Sequence, residues 1–215
     1  RKLAKMVVDY ALKVKPNENV VLSGGTEAQE FLIALYKEII LRGAHPDLRV
    51  GLPEISSFFF KHAKKHQIEK FPDVFDYQVK KAQKYIGISS ASNTRALSDC
   101  DSKKIAARQK ITRPITTYIC NGKPDIYRST VAFPCPALAQ EAEMSLTDYE
   151  NFVYGACLQD WEKIGKDMNK VLKTFQKGKS VHLIGAGVDL KFDINGKLAK
   201  LYERLKGYKG YESSS

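Results

Sequence analysis

The most constraining feature of this chain is a repeated alternation between short apolar runs and longer amphipathic segments, separated by turn residues. Val20, Val21 and Leu22 form an apolar run closed by Ser23-Gly24-Gly25-Thr26, the pattern of a buried strand and a tight turn. Over residues 27–42 the apolar positions Phe31, Leu32, Leu35, Ile39 and Ile40 follow helical spacing, and Gly43 supplies the stop. Residues 46–50 read as a second strand, 56–70 as a helix ended near Pro72, 74–84 as a further helix and 85–88 as a third strand. Residues 103–110 then read as a basic helix, 115–120 as a strand and 127–133 as a weaker strand before Pro134 and Pro136. Ahead of all these, Leu3, Met6, Val7, Tyr10 and Ala11 recur at helical spacing. Strands separated by helices of this length cannot be hairpin partners. Crossover connections follow, and with them an α/β fold with a largely parallel sheet flanked by helices.

The last third has a different texture. Ser145-Leu146-Thr147-Asp148 predicts a helix start in which Ser145 accepts from the third helical amide. Trp161, Ile164, Met168, Val171, Leu172 and Phe175 mark a second helix, stopped by Lys177-Gly178. Val188, Leu190, Phe192 and Ile194 then alternate with Asp189, Lys191 and Asp193 behind the turn Gly185-Ala186-Gly187. This predicts a β-hairpin buried on one face. The organisation expected is an α/β domain over 1–179, a hairpin at 180–196 leading towards a second domain that is absent, and a basic amphipathic tail at 197–215.

Composition excludes several classes. With 43% hydrophobic residues in 215, a packed core is within reach, unlike in a disordered chain. No run approaches the roughly 20 apolar residues that span a bilayer, so no membrane partner is expected. The chain opens on Arg1 without an initiator Met or an apolar leader, and is read as a piece of a longer product. A net charge of +11 admits a nucleic-acid or other anionic partner. However, the excess is mostly Lys, spread along helix-like stretches, and only Arg1, Arg42, Arg49, Arg95, Arg108, Arg113, Arg128 and Arg204 offer a guanidinium. Solvated surface charge is the favoured reading. Cys100, Cys120, Cys135 and Cys157 form no CxxC pair, which points to free thiols in a reducing cytoplasm.

Few constellations carry chemistry. His62 and His66 lie four apart on an expected helix and could share a metal, but no Glu of an HExxH motif stands between them, and Lys64 and Lys65 do. They are read as surface histidines, and His45-Pro46-Asp47 as a structural turn. Ser23-Gly24-Gly25-Thr26 lies where amides could bind an anion, yet it is neither GxGxxG nor a P-loop, so a plain βα turn is favoured. No GxSxG elbow is present. Glu141, Glu143, Asp148 and Glu150 are assigned to a helix start, where the dipole favours carboxylates.

Several segments together resemble one family. They include residues 3–8 with Asp9-Tyr10, Val14-Lys15-Pro16, the apolar run 20–22, Ala34-Leu35-Tyr36 and Arg42-Gly43-Ala44-His45-Pro46. Further along come Asn93-Thr94-Arg95-Ala96-Leu97-Ser98, then Phe133-Pro134-Cys135-Pro136-Ala137-Leu138-Ala139-Gln140 and Met144-Ser145. Residues 148–154, then Gly187-Val188-Asp189-Leu190-Lys191-Phe192 near Gly196, complete the set. In their shared order and spacing these resemble the N-terminal domain of the thermophilic metalloaminopeptidases, the aminopeptidase T family.

The resemblance implies a two-domain exopeptidase, usually a homodimer, that removes N-terminal amino acids from peptides with a pair of divalent metals (cobalt, zinc or magnesium). In that family the metal ligands lie in the C-terminal domain, and the N-terminal domain shapes and partly covers the active-site cavity. No position here matches a family ligand, so the resemblance assigns no catalytic, cofactor-binding or metal residue. The 215-residue chain is expected to be truncated and inactive alone, with its metals bound elsewhere in the full-length enzyme. The alternative is a basic binding module for RNA or another anionic partner.

Overall fold

The computed structural model describes residues 1–121 and 126–194. The chain forms two compact units that meet between Leu158 and Gln159. The first opens with α1 (Lys2–Lys5), which runs on into a π-helical turn at Met6–Ala11. Next come β1 (Asn19–Gly25), a 3-10 turn at Thr26–Ala28, α2 (Gln29–Leu41) and β2 (His45–Gly51). They are followed by α3 (Ile55–His62), α4 (Lys65–Ile68), α5 (Asp73–Lys81) and β3 (Lys84–Ser89). The unit closes with α6 (Ser102–Asn121), β4 (Tyr127–Ala132), α7 (Pro136–Glu141) and α8 (Leu146–Cys157).

The four strands make one parallel sheet in the order β2-β1-β3-β4. Successive side chains of a strand point to opposite faces, so a sheet covered on both sides needs uninterrupted apolar strands. β1 supplies them. Val20 and Leu22 join Leu3, Val7, Leu32, Leu35, Ile39 and Ile86 on one face. Val21 joins Val79, Ala82, Ile115, Ile119 and Ile126 on the other. The expected stop of α2 is in place. Gly43 has φ +72, its N–H donates to the Ile40 carbonyl at 2.9 Å, and the Ala44 N–H reaches the Ile39 carbonyl at 3.2 Å. That paired arrangement at the helix end requires a left-handed residue, which glycine adopts without strain. Ser145 accepts from the Asp148 amide at 3.1 Å, as its sequence context predicts.

Three sequence expectations need correction. Residues 115–120 are not a strand but the last turns of α6, which carries Pro114 inside it. The β-branched and aromatic run Ile115-Thr116-Thr117-Tyr118-Ile119 suggests extended chain, and Pro114 suggests a helix end. Ile115 and Ile119, however, lie four apart and bury 98% and 91% of their area against Val21 and Val79, which outweighs the amide that proline lacks.

The single helix expected over 56–70 is two, because Ala63 is extended at ψ 136°. Side chains from α6 stabilise the break. The Lys104 ammonium donates to the carbonyls of Phe60 (3.1 Å), Lys61 (3.4 Å) and Ala63 (3.3 Å). Further along, the Arg108 guanidinium donates to the carbonyls of Ile68, at 3.2 Å, and of Lys70, tying down the other end of α4.

The second unit contains α9 (Trp161–Lys177), capped by the Asp160 carboxylate on the Lys163 amide at 3.0 Å. An antiparallel hairpin follows, β5 (Ser180–Gly185) with β6 (Val188–Asp193). The alternation does place Val188, Leu190 and Phe192 on one face, opposite Gly185, Leu183 and Val181. The expected burial does not follow: Leu183, Val188, Leu190 and Phe192 stay 43–52% exposed. The segment expected as a basic amphipathic tail lies outside the described residues. No described helix is long and apolar enough to cross a membrane.

Candidate functional site

In an open parallel sheet the chain leaves neighbouring strands towards opposite sides where the strand order reverses, and a crevice opens beyond their carboxyl ends. Here that point lies between β1 and β3, since β2 flanks β1 and β4 flanks β3. Gly24 and Gly25 end β1 there. A Cβ on Gly24 would fall 3.1 Å from Ile88 Cβ and 3.3 Å from Leu32 Cδ2, so this glycine is needed for packing. A Cβ on Gly25 would fall 3.0 Å from Glu27 Oε2 and 3.3 Å from Ser90 Oγ. Ser90 Oγ is shielded from solvent and has no partner among the described residues.

Beside this point, the loop after β3 and the helix after β4 enclose a polar cleft of about 400 Å³. Ser92, Asn93, Thr94 and Arg95 line one part of it, and Ala137, Gln140, Glu141 and Glu143 the other. The two walls are tied at the base, where the buried Cys135 thiol donates to the Ala91 carbonyl at 3.2 Å. Asn93 accepts from the Arg95 amide at 2.8 Å, closing an Asx turn. The Thr94 hydroxyl donates to Glu141 Oε1 at 2.6 Å, and Arg95 Nε lies 3.8 Å from the same oxygen. Glu143 sits in the left-handed region at φ +55, uncommon for a residue with a Cβ.

Glu141, Glu143, Asp148 and Glu150, close in sequence, are expected at one helix start. The structure separates them. Glu141 is the last residue of α7 and Glu143 follows it, whereas Asp148 occupies the first turn of α8. Glu150 acts on Tyr154, whose hydroxyl pKa is raised by burial first and then by Glu150 and Glu30. Nothing local in the sequence announces the cleft, because Thr94 and Glu141 meet across a separation of 47 residues.

The histidine candidates do not assemble. His62 ends α3 with its ring 4.4 Å from Phe58, and the break at Ala63 removes the shared helix face with His66. His62 instead borders an apolar groove of about 510 Å³ with Ile55, Phe58 and Phe59. His45-Pro46-Asp47 is not a turn but the first three residues of β2, where Pro46 is tolerated because β2 is an edge strand. Among the described residues, no three His, Cys, Asp or Glu side chains come together as a metal ion requires. The described residues therefore do not fit a metal pair.

No curated protein sequence matches the chain. Among solved structures, wild-type AmpT from Thermus thermophilus has a similar fold, with a TM-score of 0.68 at 18% sequence identity. The match covers 89% of this chain and 52% of AmpT, so the chain spans about half the length of that protein. Residues 1–201 match the family described as thermophilic metalloprotease (M29). The chain belongs to that thermophilic metalloprotease (M29) family.

Proposed function

We propose that this chain is the N-terminal, non-catalytic part of a metal-dependent aminopeptidase that removes N-terminal residues from peptides. The observation that carries the reading is the family match over residues 1–201, in a chain whose described residues assemble no metal site. A divalent pair, whether cobalt, zinc or magnesium, would polarise the scissile carbonyl and supply the nucleophile when held by ligands outside these residues. No catalytic step is assigned to the side chains described here. Their proposed role is to form a wall of the substrate cavity, within a homodimeric, cytoplasmic enzyme. The four free thiols support that compartment.

Hydrolysis of leucine p-nitroanilide tests both halves of the proposal. The 215-residue chain is expected to release no p-nitroaniline with added cobalt, zinc or magnesium, and metal-dependent turnover would show that it carries its own ligands. A longer polypeptide containing this chain is expected to be active and to lose activity on chelation. Its inactivity with every metal would overturn the aminopeptidase reading.

The alternative, a basic RNA-binding module, has weaker support. Lys104 and Arg108 of α6 are engaged by backbone carbonyls, and Lys61, Lys70, Lys80 and Lys170 by carboxylates. RNA binding that falls steeply with salt would revive it.

A further inference from the structure

Surface arginines are ordinarily mobile, because an exposed ion pair contributes little and holding a long side chain costs entropy. Arg95 is 79% exposed, yet its backbone is held in a turn and a carboxylate faces its guanidinium. Asn93 fixes its backbone through the 2.8 Å Asx contact. Glu141 faces its Nε at 3.8 Å, and Thr94 holds Glu141 in place at 2.6 Å. Because the carboxylate faces Nε, the two terminal amino groups of Arg95 remain without a partner among the described residues. These form the fork that matches a carboxylate in two parallel hydrogen bonds. The fork stands at a polar cleft beside the carboxyl ends of the parallel strands, the edge at which such sheets bind ligands.

We propose that this cleft binds the C-terminal carboxylate of a short peptide, with Arg95 as the contact and Glu141, Thr94 and Asn93 as positioning residues. The remaining lining groups suit a peptide main chain. Ser92 and Gln140 can donate to or accept from its amides, and Glu143 can accept a main-chain N–H. One cation among two carboxylates is a poor site for a free polyanion, which favours a ligand with a single carboxylate next to amide donors. The choice of a peptide rests on the aminopeptidase reading. In such an enzyme, capture of the far end of a peptide would set how long a substrate fits.

The test is titration of the isotope-labelled 215-residue chain, followed by backbone amide NMR with EDTA present so that no metal-dependent turnover occurs. Tri-alanine is expected to shift the amides of residues 92–95 and 140–143 in a saturable way. Tri-alanine amide, lacking the carboxylate, should bind about tenfold more weakly, the loss of one charge-assisted contact. Arg95→Gln should abolish that preference, Arg95→Lys should retain part of it, and Glu141→Gln should weaken it with the fold unchanged. No shift at these positions up to roughly 20 mM peptide, far above a millimolar dissociation constant, would overturn the proposal. So would equal binding of the amide. Acetate acting as well as the peptide would reduce the cleft to a general anion site and also overturn it. Because the measurement needs neither metal nor catalysis, its result is independent of the arylamide assay.

Discussion

Replacing Lys104 by Met removes a charge and leaves most of a side chain, which makes it a clean probe of how α6 organises the first unit. In the native chain the ammonium donates to three carbonyls at the end of α3, at 3.1, 3.4 and 3.3 Å. A hydrogen bond to a charged group contributes about 1.5–3 kcal/mol net, and a cation at a helix C-terminus about 0.3–1 kcal/mol. The Lys61 carbonyl is exposed, so water replaces that partner at little cost, and the other two are only partly shielded. The low end of both ranges applies, giving about 2 kcal/mol. Urea unfolding followed by far-UV circular dichroism measures it, with Lys103→Met as control, since Lys103 is exposed and its ammonium makes no described contact. Melting should fall by roughly 4–8 °C at the 2–4 °C per kcal/mol typical of this size. Amide exchange should quicken across residues 55–68 before the rest, because local opening follows the weakest tie. If Lys104→Met lies within about 0.5 kcal/mol of Lys103→Met, the surface-substitution range, the assignment of Lys104 as the staple between α6 and α3 is wrong.

Lys84 is 4% exposed, with its ammonium 3.6 Å from Glu18 and 4.1 Å from the Tyr127 ring centre. Burial lowers its pKa below 10.5, against the opposing pull of Glu18, so the unfolded chain binds the extra proton in the window between the two values. Stability therefore rises with pH through that window, and urea midpoints from pH 7 to 10.5 should show wild type gaining on Lys84→Met; parallel curves would refute this. Gly24→Ala places a methyl against Ile88 and Leu32 and should cost about 1–3 kcal/mol. Gly51→Ala, which meets only the Gly24 carbonyl at 3.8 Å, should be much milder, and equal losses in thermal melts would contradict the packing argument. Ser145→Ala removes the cap on the Asp148 amide and should cost about 1 kcal/mol, with Ser145→Thr, which keeps the hydroxyl that also donates to the Asp148 carboxylate at 2.7 Å, restoring it. Failure of Thr to rescue would point to a role other than capping.

What the sequence determined by itself were the features whose physics is local. The apolar run at Val20–Leu22, the spacing of Phe31, Leu32, Leu35 and Ile39, the glycine at 43 and the serine at 145 each specify an element or its end within one or two turns of chain. With helices between the strands, those elements also specify a parallel sheet, because no shorter connection allows another pairing. Tertiary structure decided the rest. Residues 115–119 became helix because Ile115 and Ile119 found a buried surface 94 residues or more earlier, at Val21. The helix at 55–68 broke where Lys104, some 40 residues later, satisfies carbonyls that helix continuation would otherwise occupy. The polar cleft exists only because the parallel order brings the ends of β3 and β4 side by side, carrying Thr94 and Arg95 to Glu141. A pairing across that distance leaves no periodicity to read, whereas a helix face repeats every turn.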